Sequence, residues 1–182
     1  MPFARARAPP DAYASAAVDP VNVSVTIDRP REEVFAYLAD IANHSEFSDH
    51  YLKHWRLTRI DSVGQGAGAR FRVDAPLQRF SWADTTFVVV EPPHRIVAVG
   101  RGGKFNRIKT TAIWTLDPAA GGGTEVELMV ESEPELPTDK LMEVVSGQHG
   151  WFKRKTRKAL RRLQAILEED EDRGARATVA GL

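Results

Sequence analysis

The sequence predicts an α+β protein in which a bent antiparallel sheet of about seven strands wraps around one long C-terminal helix. Three observations predict it. Residues 138–169 carry Leu141, Val145, Phe152, Ala159, Leu163, Ile166 and Leu167 close to a 3.6-residue period, broken only at Gln148. Upstream, from Val21 to Glu133, apolar and polar residues alternate in separate short runs, the two-residue period of half-buried strands. Short turns join these runs, so sequence neighbours pair antiparallel, and such a sheet can bury one face and leave the other in water. Only the final helix is long enough to cover the buried face.

Residues 21–27 form the first strand, Val21, Val23, Val25 and Ile27 alternating with Asn22, Ser24 and Thr26. Asp28-Arg29-Pro30 stops it and starts a helix, since proline suits a first helical turn and Glu32 and Glu33 suit the positive end of the helix dipole. Val34, Phe35, Leu38 and Ile41 make its apolar stripe. Asn43-His44-Ser45 breaks that stripe, and 46–51 is expected to be a second short helix or turn. Six strands are then expected, at 53–61, 69–75, 81–91, 95–101, 105–116 and 124–133. Gly64, Gly66 and Gly68 punctuate the first turn between them, and Pro92-Pro93 stops the third of the six. Ile108, Thr110, Ala112, Trp114 and Leu116 share one face of the fifth; in the sixth, Val126, Leu128 and Val130 turn inward against Glu125, Glu127 and Glu131. Pro134 and Pro137 end the sheet.

The chain has 182 residues, which suits one domain with tails, and 42% hydrophobic residues, which suits a globular core. Residues 1–20 read as a disordered leader with no apolar run of signal-peptide length, 21–169 as the domain, and 170–182, charged and then rich in small residues, as a flexible tail. Lys+Arg 25 balance Asp+Glu 25, so bulk charge announces no nucleic-acid partner. The absence of cysteine removes disulfides, thiolate nucleophiles and cysteine-ligated metals, and fits a cytoplasmic protein.

The long helix carries Ser146, Gly147 and Gly150 beside Trp151. A helix-interior glycine costs about 1 kcal/mol relative to alanine. Room is one reason to keep such residues: a helix with missing side chains, laid on a curved sheet, leaves a hollow.

Several segments together resemble the START-like, Bet v 1-like superfamily (SRPBCC), in its polyketide cyclase/dehydrase and lipid-transport branch. They are Ile27-Asp28-Arg29-Pro30-Arg31-Glu32-Glu33-Val34-Phe35 with Leu38-Ala39-Asp40, then Glu46-Phe47, and Gly66-Ala67-Gly68-Ala69-Arg70-Phe71. Val90-Glu91-Pro92-Pro93-His94-Arg95-Ile96 resembles the family's strand corner, and Trp114-Thr115-Leu116 with Gly121-Gly122-Gly123-Thr124-Glu125-Val126 its closing hairpin. Phe47 stands where members often carry tryptophan. The resemblance spans roughly 21–167 and implies the helix-grip fold, with a cavity between sheet and long helix. Its expected lining is Phe47, Trp55, Leu57, Phe71, Trp82, Trp114, Leu141, Val145 and Phe152, an apolar set of the kind small-molecule pockets use. The plainer reading of these aromatics is that they fill the core. The fold hosts carriers, sensors, cyclases and interaction modules alike, so it does not by itself select among them.

Three candidates for proton chemistry stand out. His44, His50 and His54 cluster around Asp49, but no His-Glu-x-x-His spacing supports a metal, and none is expected. Asp49 and His50 would serve a cyclase as an acid/base pair, or simply form a polar loop. Asp84 shares a face with Trp82, Val88 and Val90; facing inward it must pair, with Arg107 or Lys109 as candidates, whereas a bulge in the strand would turn it to water. Lys153, Arg154, Lys155, Arg157, Lys158, Arg161 and Arg162 form a dense basic run, read as a solvated face, as a patch for anionic membrane or as one for nucleic acid, the last disfavoured because the neighbouring Trp151 and Phe152 are needed inside. Gly100-Arg101-Gly102-Gly103-Lys104 lacks the strand–loop–helix setting of a phosphate loop, and no cofactor motif is present.

The expected function is binding of a hydrophobic or aromatic molecule, such as a lipid, isoprenoid or polyketide. The alternatives are an aromatase/cyclase using Asp49, His50 or Asp84, and an interaction module with no cavity. An interior without an acid/base pair favours the carrier, an inward histidine favours the enzyme, and a filled interior favours the module.

Overall fold

The computed structural model describes residues 19–76, 81–134 and 148–180. Its elements run β1 (Val21–Ile27), α1 (Arg31–Leu38), α2 (His44–Ser48), β2 (Leu52–Leu57), β3 (Gly68–Val73), β4 (Trp82–Glu91), β5 (Arg95–Gly102), β6 (Ile108–Pro118), β7 (Thr124–Pro134) and α3 (Gln148–Glu169). All seven strands form one antiparallel sheet in the order β1-β7-β6-β5-β4-β3-β2. β2 to β7 are a simple meander. β1 joins its far edge through the register Val21↔Val130 to Ile27↔Thr124, so α1 and α2 connect the two edges of the sheet. This is the helix-grip architecture.

The core lies on the concave face. Ile27, Phe87, Ile96, Leu116 and Val126 come from the sheet, Val34 and Leu38 from α1, and Leu160, Leu163 and Ile166 from α3, all essentially without solvent contact. Each such aliphatic contributes roughly 2 kcal/mol by leaving water. α3 lies along β1 and against α2. The expected helical residues 138–147, including Leu141, Val145, Ser146 and Gly147, fall outside the described residues. Gly150 does not help to form a hollow: it is exposed, and a Cβ placed on it would meet nothing within 4 Å.

Three local differences from the sequence reading have physical causes. β6 begins at Ile108 rather than at 105, because Phe105 and Asn106 adopt left-handed backbone (φ 59° and 56°) in a tight turn that leaves Phe105 80% exposed. β4 carries a bulge between Phe87 and Val89, which resets its alternation. Ala83, Thr85 and Phe87 therefore face the concave side, and Trp82 and Asp84 the convex side. The short helix starts at His44, two residues earlier than expected, after a 3₁₀ turn at Ile41–Asn43 whose Ala42 N–H donates to Asp40 Oδ1 at 3.1 Å.

The segment after α3 is not a free tail. It runs back over α2 to the edge of β2. Gly174 N–H donates to Glu46 O (2.9 Å), Ala177 N–H to Ala42 O (3.0 Å), and Leu57 N–H to Thr178 O (2.9 Å). Ala177 is 1% exposed. Arg173 reaches the buried Glu46 carboxylate at 3.1 Å, and Arg176 pairs with Asp40. Composition suggested fraying, but the carbonyls at the end of a short helix need donors, and this segment supplies them. Among the described residues no helix is long and apolar enough to cross a membrane.

Candidate functional site

Between the concave sheet, α2 and the start of α3 lies a cavity of about 160 Å³. α2 and the turn before it supply Ile41, His44, Phe47 and Ser48; the central strands supply Phe87, Ala98, Ala112 and Trp114; α3 supplies Phe152 and Ala159. The small residues Ala83, Ala98 and Ala112 lie on neighbouring strands at the concave face, and that is what leaves space there. The described lining residues that carry polar groups are His44, Ser48, Tyr51, Trp55, Thr85, Thr110 and Trp114, with no charged side chain among them.

His44 is the most constrained of these. Its Nε2 lies 2.8 Å from Leu38 O, so this nitrogen carries the proton and donates. The ring is flanked by Phe47, Phe87 and Trp114, with centroids 5.3, 5.6 and 5.5 Å away. Burial in this apolar nest lowers its pKa from 6.5 to about 4, against the opposing pull of the Leu38 carbonyl and the Asp40 charge. His44 is therefore neutral at physiological pH, and its Nδ1 is an acceptor with no donor from the described residues.

Trp55 stacks on Phe71 at 4.6 Å and is 2% exposed; its Nε1–H is buried without an acceptor among the described residues. A buried donor left unpaired costs about 1–3 kcal/mol, and this one lies beneath the cavity surface rather than on it. Tyr51 meets Trp151 and Phe152 edge to face at 6.2 and 5.8 Å, and burial pushes its phenol up to about 12. It locks α3 against the mouth of β2.

Of the residues expected to line the cavity, Phe47, Trp55, Phe71, Trp114 and Phe152 do lie on it. Leu57 is buried in the core but not on the cavity. Trp82 is 44% exposed on the convex face, beneath the Arg70 guanidinium at 5.5 Å. Leu141 and Val145 fall outside the described residues.

The three candidate proton-transfer residues are not at the cavity. Asp84 lies on the convex face with Arg70, not Arg107 or Lys109, as its partner at 3.7 Å. That pair is half exposed and contributes little. Asp49 and His50 serve as struts to α3. Asp49 pairs with the buried Arg162, which also holds Asp172 at 2.8 Å. His50 Nε2 lies 3.1 Å from Lys155 O, and its Nδ1 lies 3.5 Å from Arg162 Nη1. Burial first, then the charges of Lys158, Arg162 and Lys155, lower its pKa, opposed by the Lys155 carbonyl. His54 is exposed, 6.2 Å from Trp82. Among the described residues no three His, Cys, Asp or Glu side chains converge on a point that could hold a metal. The sequence did contain a signal for His44: it stands three residues before Phe47, so a helix over both puts them on one face.

The chain matches the family described as polyketide cyclase / dehydrase and lipid transport over residues 20–168. It belongs to that family. No curated protein matches it. Among solved structures it is similar to the KanY protein (17% identity, TM-score 0.66), over 81% of this chain and 96% of that one. TTHA0849 from Thermus thermophilus is similar at 16% identity and TM-score 0.61, over 81% and 96%. Truncated norcoclaurine synthase from Thalictrum flavum is similar at 10% identity and TM-score 0.61, over 85% and 96%. At these identities the likeness is one of fold.

Proposed function

We propose that this protein binds a compact hydrophobic or aromatic molecule, at the small end of the lipid, isoprenoid and polyketide range, in the cavity between sheet and α3. The supporting observation is the cavity: about 160 Å³ left open in an apolar interior. That is close to the roughly 150 Å³ cavity that takes up benzene in an engineered protein. A collapsed interior, as an interaction module would allow, is not what the packing gives. The cyclase reading draws on one observation, the inward His44. A base with a pKa near 4 is a weak proton acceptor at neutral pH, however, and no carboxylate among the described residues lines the cavity beside it. Binding without turnover is the better reading.

The test fills the cavity. Ala112→Phe should keep the fold and abolish the thermal shift that a panel of neutral aromatic compounds gives the unmodified protein. Native mass spectrometry of protein from its own host, with solvent extraction, would then identify the resident compound. No thermal shift from any compound, together with a clean apo mass, would overturn the reading.

We also propose transient contact of α3 with an anionic membrane through Lys153, Arg154, Arg157, Lys158 and Arg161. Arg154, Arg157, Lys158 and Arg161 are exposed and form no ion pair with the described residues. Co-sedimentation with phosphatidylserine vesicles but not with phosphatidylcholine vesicles is the expected result; equal sedimentation with both would refute it.

A further inference from the structure

We infer that the cavity selects neutral ligands carrying a hydroxyl group, such as phenols and compact alcohols, over carboxylic acids and plain hydrocarbons of the same skeleton. This rests on the binding reading above and specifies the chemistry the site recognises.

The wall leaves a polar atom unpaired. His44 is 8% exposed, lies on the cavity, and has committed its only N–H to Leu38 O at 2.8 Å. Its Nδ1 can only accept, and no donor from the described residues reaches it. The Trp55 Nε1–H lies buried beneath the wall and takes no part in this contact. The wall thus offers a ligand an acceptor at His44 Nδ1 that only a donor can satisfy. A hydroxyl is a compact neutral group that donates a hydrogen bond, and so can answer it.

The same wall disfavours the alternatives. A carboxylate would bring a negative charge beside a lone pair at Nδ1, with no cationic side chain on the described lining to compensate. A hydrocarbon would leave Nδ1 unpaired, and a site built to hydrogen-bond a hydroxyl rejects the analogue lacking it. The aromatic rings of Phe47, Phe87 and Trp114 around His44 keep that corner apolar, so the hydrogen bond forms away from bulk water.

Isothermal titration of the full chain at neutral pH with 4-ethylphenol, 4-ethyltoluene and 4-ethylbenzoate tests this. 4-Ethylphenol should bind about tenfold tighter than 4-ethyltoluene, its methyl isostere, and the benzoate should bind weakest of the three. His44→Phe should bring the phenol-to-toluene ratio down to about one while 4-ethyltoluene still binds. A measurement on the unmodified protein needs no variant to fold: the His44 Nδ1 nitrogen resonance should move upfield with 4-ethylphenol and not with 4-ethyltoluene. Equal affinity for phenol and toluene, tightest binding of the benzoate, or a ratio unchanged in His44→Phe would overturn the inference while leaving the cavity reading standing. Absence of binding by all three would overturn the cavity reading itself, and the inference with it.

Discussion

Acidification tests the placement of His44. In the folded protein its pKa is lowered to about 4, chiefly by burial; in the unfolded chain it returns to its ordinary value of 6.5. Between those values the unfolded state binds the proton and the folded state does not, so stability rises with pH across that window. The contribution is complete above 6.5 and is lost as the pH falls toward about 4. Relative to about pH 7, the loss should be roughly 2 kcal/mol at about pH 5 and roughly 3 kcal/mol at about pH 4. His44 is 8% exposed, so solvent screening removes little of this. The assay is urea unfolding at a series of pH values for the native chain and for His44→Phe. Every other titratable group is common to both proteins, so the difference between the two curves isolates His44. That difference should change by roughly 2 kcal/mol from about pH 7 to about pH 5, with the native chain losing more. Parallel curves would refute the placement of a neutral histidine in the wall.

Other perturbations probe separate parts of the structure. Gly100 sits in β5 where an added Cβ would lie 2.5 Å from Asp84 O and 2.6 Å from Thr110 Oγ1, so Gly100→Ala should cost about 1–3 kcal/mol in chemical denaturation. Ala177→Asp puts an unpaired carboxylate into the buried anchor of the C-terminal segment and should lower the unfolding midpoint by the equivalent of about 3 kcal/mol; an unchanged midpoint would mean the segment does not dock. Trp82→Ala on the convex face should shift stability by less than about 1 kcal/mol, whereas Trp114→Ala at the cavity wall should cost about 3–5 kcal/mol. Similar losses from both would contradict the phase of β4.

Periodicity alone carried much of this fold. The alternation in 124–133 and the Thr110, Ala112, Trp114 face of β6 are inward where the sequence reading put them, because side-chain direction in a regular strand follows from the two-residue repeat. β4 shows where that logic stops. Its sequence is apolar on both faces after Phe87, so either phase is compatible with it, and the bulge that turns Trp82 and Asp84 outward exists only in the pairing with β5. The tail shows another limit: Ala177 is a core residue only because α2 offers it a place, and composition records no partner.

The sequence by itself determined the order of strands and helices, the meander, the absence of thiol chemistry and the apolar character of the interior, since each depends on local pattern or on residue type. Tertiary structure decided which polar groups meet that interior. Asp49, His50 and Asp84 looked chemically apt in sequence, yet Arg162, Lys155 and Arg70 hold them elsewhere. His44 presents a bare acceptor to the cavity because it spent its only proton on Leu38, while the Trp55 indole N–H is buried with no acceptor among the described residues. Such hydrogen-bond accounting runs between residues distant in the chain, where no local pattern can register it.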